Sequence, residues 1–228
     1  MSVLAGLRTK VVSIVRDNSG LLVDPTDYER NIGAALTRYS KSRPAEVSAD
    51  VTGDGSAQYA LPTGWVEEFS AILSIEFPIG ETPAAYLDPD TYELYRTPAG
   101  LKLRLLEEEP STGASFRVTF TIPRSAITVP AQDEDAFCNL AASLCLEELA
   151  NSFAHSNDPT INADSVNHRT KAQEFAARAK RHLQIYNEAL GLKDGDTLPP
   201  ATAVKDLDEK YPGGYERLTH HRYSRRSR

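Results

Sequence analysis

The chain has 228 residues, 40% hydrophobic and 25% charged, with a formal net charge of −7. That is enough for one substantial core, or for one body carrying an inserted lobe, and the composition is that of a globular protein rather than a disordered or fibrous one. The charge is uneven: residues 217–228 hold five arginines and no acid, so this end carries +5 and the other 216 residues carry −12, a balance that repels nucleic acid from the body and admits phosphate or an acidic protein surface only at the tip.

The opening run from Val3 to Leu7 is broken by Arg8 and Lys10, so neither a secretory leader nor a membrane span is expected. Residues 2–17 place Leu4, Leu7, Val11, Ile14 and Val15 at helical spacing, and Asn18-Ser19-Gly20 ends that helix. Asp24-Pro25 reads as an N-cap followed by proline in the first turn. It opens a second helix with the stripe Tyr28, Ile32, Ala35, Leu36 and Tyr39, closed by Pro44.

From 46 to 129 the helical period disappears and turn residues recur. Gly53-Asp54-Gly55 separates two short alternating runs, 46–52 and 56–61, which reads as a hairpin. Pro62-Thr63-Gly64-Trp65 starts a tight turn, 66–70 fits one helical turn, and 71–77 reads as a strand stopped by Pro78 and Gly80. Asp88-Pro89 again has cap chemistry, so 91–95 begins either a short helix or a strand. The clearest strands are 101–106 and 116–122, with Pro110-Ser111-Thr112-Gly113 turning between them. Phe116, Val118, Phe120 and Ile122 share one face of the latter, while Arg117, Thr119 and Thr121 share the other.

After Pro130 the helical pattern returns. Asp133-Glu134-Asp135 loads a first helical turn with acid, which suits the positive end of the helix dipole. The stripe continues through Phe137, Leu140, Ala141, Leu144, Cys145, Leu149 and Phe153. A final helix spans about 164–190. Val166, Ala172, Phe175, Ala176, Ala179, Leu183, Tyr186 and Leu190 face inward, Arg169, Lys171, Arg178, Lys180 and Arg181 face outward, and Gly191 stands just past its end. Cys138 and Cys145 lie seven apart on one helix, about 10.5 Å at ~1.5 Å per residue, too far for a disulfide; they are expected reduced, buried and small, as in a cytoplasmic protein. The expected fold is therefore α+β: an antiparallel bundle of about four helices (1–45 and 131–192), an inserted antiparallel β lobe (46–130) and an extended C-terminal tail (193–228).

Most candidate chemistry fails on inspection. Asp50 to Gly55 matches the start of a calcium loop, but its twelfth position is Leu61 rather than a bidentate glutamate. His155, His168, His182, His220 and His221 form no zinc pattern with each other or with the cysteines. Glu107-Glu108-Glu109 stands at a strand end, where charges are solvated. No nucleophile elbow and no phosphate-cradling glycine loop is present. The expectation is no enzyme, no metal and no cofactor. The tail is different. Its breakers, Leu198-Pro199-Pro200 and Tyr211-Pro212-Gly213-Gly214-Tyr215, are followed by Arg217 and by Arg222-Tyr223-Ser224-Arg225-Arg226-Ser227-Arg228. Such a segment orders only against a partner, and tyrosines among arginines are interface anchors. Tyr211, Tyr215, Arg217, Arg222, Tyr223, Arg225, Arg226 and Arg228 are the candidate docking residues, on protein or on phosphate. A separate reading makes the β lobe a carbohydrate-binding module with Trp65, Tyr86, Tyr92 and Tyr95 as a stacking platform.

Tyr59-Ala60-Leu61-Pro62 with Trp65, Ile75-Glu76-Phe77-Pro78 with Gly80 and Pro83, Tyr92-Glu93-Leu94-Tyr95-Arg96-Thr97-Pro98 with Gly100, and Asp135-Ala136-Phe137-Cys138-Asn139-Leu140-Ala141-Ala142 before a long helix together resemble the head–tail connector adaptors of tailed bacteriophages over roughly residues 20–190. The resemblance implies a structural virion protein of the neck, assembled in the host cytoplasm. In that family a helical bundle forms one wedge of a ring, usually of twelve subunits, beneath the portal protein, and the C-terminal tail grips the portal. It implies as partners the portal, neighbouring copies, the next tail or neck component and passing DNA, with no membrane. An acidic lumen would let DNA slide through. The β lobe exceeds what a minimal adaptor needs, which leaves room for a tail-side terminator or stopper as the alternative.

Overall fold

A computed structural model describes residues 2–154 and 171–192. Their fold is α+β, with four helices and two three-stranded antiparallel sheets. The first helix, α1 (Val3–Val15), starts where the Ser2 hydroxyl accepts a hydrogen bond from the Ala5 N–H, and it buries Leu7, Val11 and Val15. The second, α2 (Thr26–Ser42), buries Tyr28, Ile32, Ala35 and Tyr39. Its start departs from the expected cap. Asp24 makes no capping bond. It pairs with Arg8 at 3.4 Å, and the Asp27 carboxylate instead takes the Val23 N–H at 2.7 Å.

The chain then leaves the bundle. Strands β1 (Ala45–Thr52), β2 (Gln58–Ala60), β3 (Ile72–Glu76), β4 (Tyr92–Thr97), β5 (Gly100–Leu105) and β6 (Ser115–Ile122) follow in turn. One sheet has the order β1-β6-β3 and the other β2-β5-β4. They share one core of Tyr59, Ile75, Leu103, Leu105, Phe116, Val118 and Phe120, with Tyr59 edge-on to Phe116 at 4.8 Å between ring centres. Thr91–Tyr95 resolves into the last residue of a single 3-10 turn followed by β4.

The expected hairpin of 46–52 with 56–61 does not form. β1 pairs with β6 along its whole length, from Ala45 opposite Ile122 to Thr52 opposite Ser115, and β2 pairs with β5. Alternation sets which face of a strand is buried but not its partner. Eight residues of β6 carrying Phe116, Val118 and Phe120 stand opposite the half-buried Val47, Ala49 and Val51, a length of apolar face that the three-residue β2 cannot match. The chain crosses between sheets at Gly53. Its N–H donates to Ala114 O at 2.6 Å, the Gly55 N–H to Pro110 O, and the Gly113 N–H returns to Gly53 O. A Cβ on Gly53 would sit 2.6 Å from Pro110 O and 2.8 Å from Ala114 O. Correspondingly, β5 and β6 lie in different sheets, and 110–113 turns between sheets rather than within one. On the outer face of β1-β6-β3, Arg117 holds Asp50 through two bonds of 2.7 and 3.0 Å and approaches Glu76 at 3.7 Å, and the hydroxyls of Ser48 and Thr119 meet at 2.9 Å. These cross-strand polar pairs keep that face solvated.

The chain returns through two 3-10 turns, 126–128 and 131–133, to α3 (Glu134–Ala154), and the bundle ends with α4 (Lys171–Leu190). α3 is the central helix. It buries eleven residues around its circumference, among them Phe137, Leu140, Cys145, Leu146 and Leu149, and it is packed by α1, α2 and α4. Cys138 and Cys145 are free and buried, and burial pushes their thiols up to about 11 and about 12. α4 buries Ala179, Tyr186 and Leu190, whereas Ala176, expected inward, is exposed. The helix stops in a Schellman turn: the Leu192 N–H reaches Asn187 O, the Gly191 N–H reaches Glu188 O, and Gly191 takes φ +69°. Among the described residues no helix is long and apolar enough to cross a membrane.

Bundle and lobe are joined at Arg124. Its N–H donates to the Ser40 hydroxyl at 2.9 Å. Its guanidinium donates to the carbonyls of Arg43 (2.6 Å), Pro44 (3.0 Å) and Thr128 (2.5 Å). Two substitutions probe these two joints. Gly53→Ala is expected to destabilise by about 1–3 kcal/mol, because the methyl is forced against backbone carbonyls that cannot yield. Arg124→Ala is expected to lose roughly 2–3 kcal/mol, the scale of charge-assisted hydrogen bonds. Urea unfolding of each purified variant beside the parent chain measures both.

Candidate functional site

The eight docking candidates, Tyr211, Tyr215, Arg217, Arg222, Tyr223, Arg225, Arg226 and Arg228, lie outside the described residues, as do Val166, Arg169, His155, His168, His220 and His221. What the structure places is the body to which they are attached, and the basic row of α4 can be followed there.

That row splits. Lys180 and Arg181 are exposed and have no ion pair among the described residues. Lys171 sits over the Phe153 ring at 5.5 Å, and Phe153 stacks on Phe175 at 5.3 Å. Arg178, expected outward, turns in and is half-buried. It donates to Val15 O at 2.7 Å and Ile14 O at 3.3 Å. Its charge thus caps the carbonyl end of α1, where a cation is favoured, while its stem covers apolar surface.

His182 is half-buried one turn further along and shares a 2.7 Å hydrogen bond with the Asn139 side chain. Burial, reinforced by Arg178 and Arg181, holds its imidazole below the usual histidine range. The folded protein therefore favours neutral His182.

Among the described residues the carboxylates singled out from sequence do not converge on one site. Asp50 is held by Arg117, Asp54 accepts the Ser56 N–H at 2.9 Å, and Glu107, Glu108 and Glu109 are exposed. Among the described residues no group of three or more histidine, cysteine or acidic side chains is placed to hold a metal ion. The aromatic platform does not form either. Trp65 is packed into the lobe core, its ring tilted on Phe120 at 5.6 Å, Tyr92 is half-buried on that core, and Arg104 covers the Tyr95 ring at 3.3 Å. Of the four aromatics, Tyr86 and Tyr95 stand free of the core, 63% and 36% exposed, and Tyr95 is the one that Arg104 covers.

Two polar networks that the sequence did not announce fix α2 against α3. Tyr39 donates its hydroxyl to the buried Asp133 at 2.6 Å, and Arg43 approaches the same carboxylate at 3.5 Å. Asp133, read from sequence as one of three acids loading the first helical turn, is thus a buried residue that ends the 3-10 turn before α3. Burial, then the Asp133 bond, pushes the Tyr39 hydroxyl well above the ordinary tyrosine range. Toward the other end of the seam, Glu148 accepts from the Asn31 amide at 2.8 Å and from Arg30, which also pairs with Asp27 at 2.8 Å. Beside this second network an open groove runs between α2 and α3, lined by Asn31, Ala34, Leu144, Glu147, Glu148 and Asn151. Ala34 and Glu147 are exposed, Leu144 is half-buried, and Glu147 has no ion pair among the described residues.

No protein-family model and no curated protein matches the chain. Solved structures do align with it. A chain of the neck of an empty gene transfer agent (GTA) particle, computed with C6 symmetry, is 12% identical, with 71% of this chain and 87% of that one covered and a TM-score of 0.28. A chain of the virion of a native GTA particle is 14% identical over 78% of this chain and 87% of that one, TM-score 0.28, and one from the neck of the native particle computed with C12 symmetry is 14% identical over 74% and 89%, TM-score 0.26. At these TM-scores the likeness carries no argument about this chain.

The His182 environment generates a pH prediction. A histidine whose folded pKa is depressed contributes stability that is present above the unfolded value, about 6.5, and is lost as pH falls through the folded value. Between pH 7 and pH 5 the parent chain is expected to lose stability more steeply than His182→Gln. Denaturation midpoints at matched ionic strength across that window give the comparison; parallel curves would remove His182 as the cause.

Proposed function

We propose that this chain is a structural component of a phage-type neck: a head–tail connector adaptor whose copies form a ring beneath the portal around a DNA channel. Residues 193–228 fasten it there, with Tyr211, Tyr215, Arg217, Arg222, Tyr223, Arg225, Arg226 and Arg228 as the contacts. The observation that carries this reading is the boundary at 190–192. The helical core is finished there by the Schellman turn, and Leu192 packs back against the bundle. Beyond it come 36 residues rich in breakers, tyrosine and arginine, whose last twelve carry +5 where the preceding 216 residues carry −12. A finished body followed by such a segment suits attachment to a second molecule, since an extended arm contributes contact area in proportion to its length and many arms around a ring act together.

The resemblance to connector adaptors supports the same reading, and its residues are fold-determining ones. Tyr59 and Ile75 lie in the lobe core with Trp65 and Tyr92 packed against it, and Phe137, Cys138, Leu140 and Ala141 lie in the helical core. A shared framework of this kind speaks to architecture. The role comes from what the framework presents: a charged bundle, a polar β lobe and the basic arm. The lobe is suited to the next neck component.

Truncation after Leu192 tests the attachment. The shortened chain is expected to keep its circular dichroism and unfolding midpoint, and to lose co-sedimentation with portal rings by at least tenfold. Retained portal binding would overturn the arm as the fastener. Binding of the full chain to tail tubes instead of portals would move the assignment to the terminator or stopper alternative.

A further inference from the structure

The two sheets of the lobe have four edges, β1, β3, β2 and β4, and three of them are shorter or closed. β2 has three residues. β3 is irregular at Leu73 and is bonded along its outer side by 85–87: the Phe77 N–H donates to Ala85 O at 3.0 Å and the Leu87 N–H to Ile75 O at 2.8 Å. β4 has six residues, and its Arg96 pairs with Glu67 at 2.9 Å. β1 runs for eight residues in unbroken register with β6 and contains no proline, lysine or bulge, the devices that close an edge to strand addition.

The direction of its backbone groups follows from β6. There the Thr121 N–H donates to Ala71 O at 3.0 Å, on the β3 side. Successive residues of a strand alternate between its two sides, so Ile122, Phe120, Val118 and Phe116 turn their groups to β1, where they meet Ala45, Val47, Ala49 and Val51. Glu46, Ser48, Asp50 and Thr52 therefore aim N–H and C=O away from the sheet, and these groups have no backbone partner among the described residues. On the inner face Val47, Ala49 and Val51 are only half-buried against the lobe core. On the outer face Glu46 is exposed, and Arg117, the one cation there among the described residues, is engaged by Asp50 and Glu76. At the Thr52 end stand Asp54 and Glu109, with Lys102 acting on Asp54. Residues 45–122 as a whole hold thirteen acidic and four basic side chains, a net −9.

We propose that β1 is a docking edge for an extended segment of another protein, with arginine or lysine at alternate positions and small aliphatic residues between them. The segment adds antiparallel to β1 as a fourth strand of the β1-β6-β3 sheet. Its backbone takes the outward groups of Glu46, Ser48, Asp50 and Thr52, its cations lie beside Glu46 and Asp50, and its aliphatic side chains complete the cover over Val47, Ala49 and Val51. A second copy of β1 does not fit. Antiparallel pairing through Ser48 sets each Glu46 opposite the Asp50 of the other chain, and like charges directly opposite destabilise. The inference deepens the neck reading and rests on it for the setting in which another protein meets the lobe; the edge itself is a property of the isolated chain.

Amide hydrogen exchange read by NMR on the purified full chain tests the edge, with the blocked synthetic peptide Arg-Val-Arg-Val-Arg-Val-Arg as probe. Without peptide, the N–H groups of Glu46, Ser48, Asp50 and Thr52 are expected to exchange about tenfold or more faster than those of Val47, Ala49 and Val51. Saturating peptide is expected to slow the first set by about tenfold. A peptide with glutamate for arginine is expected to bind at least tenfold more weakly. N-methylation at the arginines, whose N–H groups face β1 in this pairing, is expected to abolish binding, and N-methylation at the valines to preserve it. Ser48→Pro removes an outward N–H while sparing the β6 ladder and is expected to block docking. Glu46→Lys leaves the backbone intact and is expected to weaken it several-fold. No binding, equal binding of the glutamate peptide, binding that leaves the outward amides unslowed, or full affinity in Glu46→Lys would each overturn the proposal. So would protection of those amides with no peptide present: independent of protein concentration it marks the chain's own tail as the occupant, and rising with concentration it marks a second copy. Immunogold labelling of purified particles separates the two levels. A chain present in the neck whose β1 takes no cationic strand sinks this docking alone. A chain that binds the peptide but is absent from particles sinks the neck role and leaves the docking edge standing.

Discussion

One side chain holds the two parts of this protein in register. The end of an α-helix leaves carbonyls without partners, and an inserted lobe must leave and re-enter its host without stranding more of them. Arg124 meets both needs at once. Its planar fork reaches the carbonyls of Arg43 and Pro44, where α2 gives way to β1, and that of Thr128, on the way to α3, while its backbone N–H is taken by Ser40. A lysine ammonium has the charge but not the fixed fork that serves three acceptors in different directions. The positive charge also stands at the negative end of α2, where the helix dipole favours it. Everything downstream, from the pairing of Ala45 with Ile122 to the direction in which α3 sets off, follows from that closure.

Within the bundle the organising element is α3, which is covered on most of its circumference and so carries little polar surface of its own. Its orientation against α2 is fixed by two unlike polar networks. Near the start of α3 a tyrosine hydroxyl and an arginine share the buried Asp133; further along, Glu148 accepts from Asn31 and Arg30. Apolar seams tolerate sliding, because one aliphatic contact replaces another at similar energy. A buried carboxylate does not, because displacement strands a charge. The two networks therefore specify one alignment of the helices where the hydrophobic stripe alone would allow several.

The helices were legible in the sequence because their signal is local. Leu7, Val11 and Val15, or Tyr28, Ile32, Ala35 and Tyr39, announce an inward face by spacing alone, and Gly191 announces an end. Strand partners were not legible. Val47, Ala49 and Val51 show that β1 has an inward face, yet the nearest turn signal, Asp54-Gly55, points to a neighbour in sequence. The actual partner, β6, is about seventy residues away and was selected by the size of the apolar face it offers. Gly53 carried the missing information as a close approach of backbone rather than as a turn. Arg178 and Asp133 were misplaced for a shared reason: a charged residue reads as solvated unless its partner is known, and the carbonyls of α1 and the hydroxyl of Tyr39 are partners that no spacing rule supplies. The tail, residues 193–228, was read from composition alone. The groove between α2 and α3 had no sequence signal, since its lining comes from two helices that lie about a hundred residues apart in the chain.

The two chain crossings between bundle and lobe face each other as a single ladder pair, Ala45 with Ile122, so their backbones stand about 5 Å apart. Residues 46–121 form, in effect, a cassette: the host helices sense only the spacing of the two cut ends and the guanidinium that bridges them, not the size or content of what lies between. Such a lobe can grow, shrink or be exchanged over evolutionary time while the bundle that carries it stays unchanged.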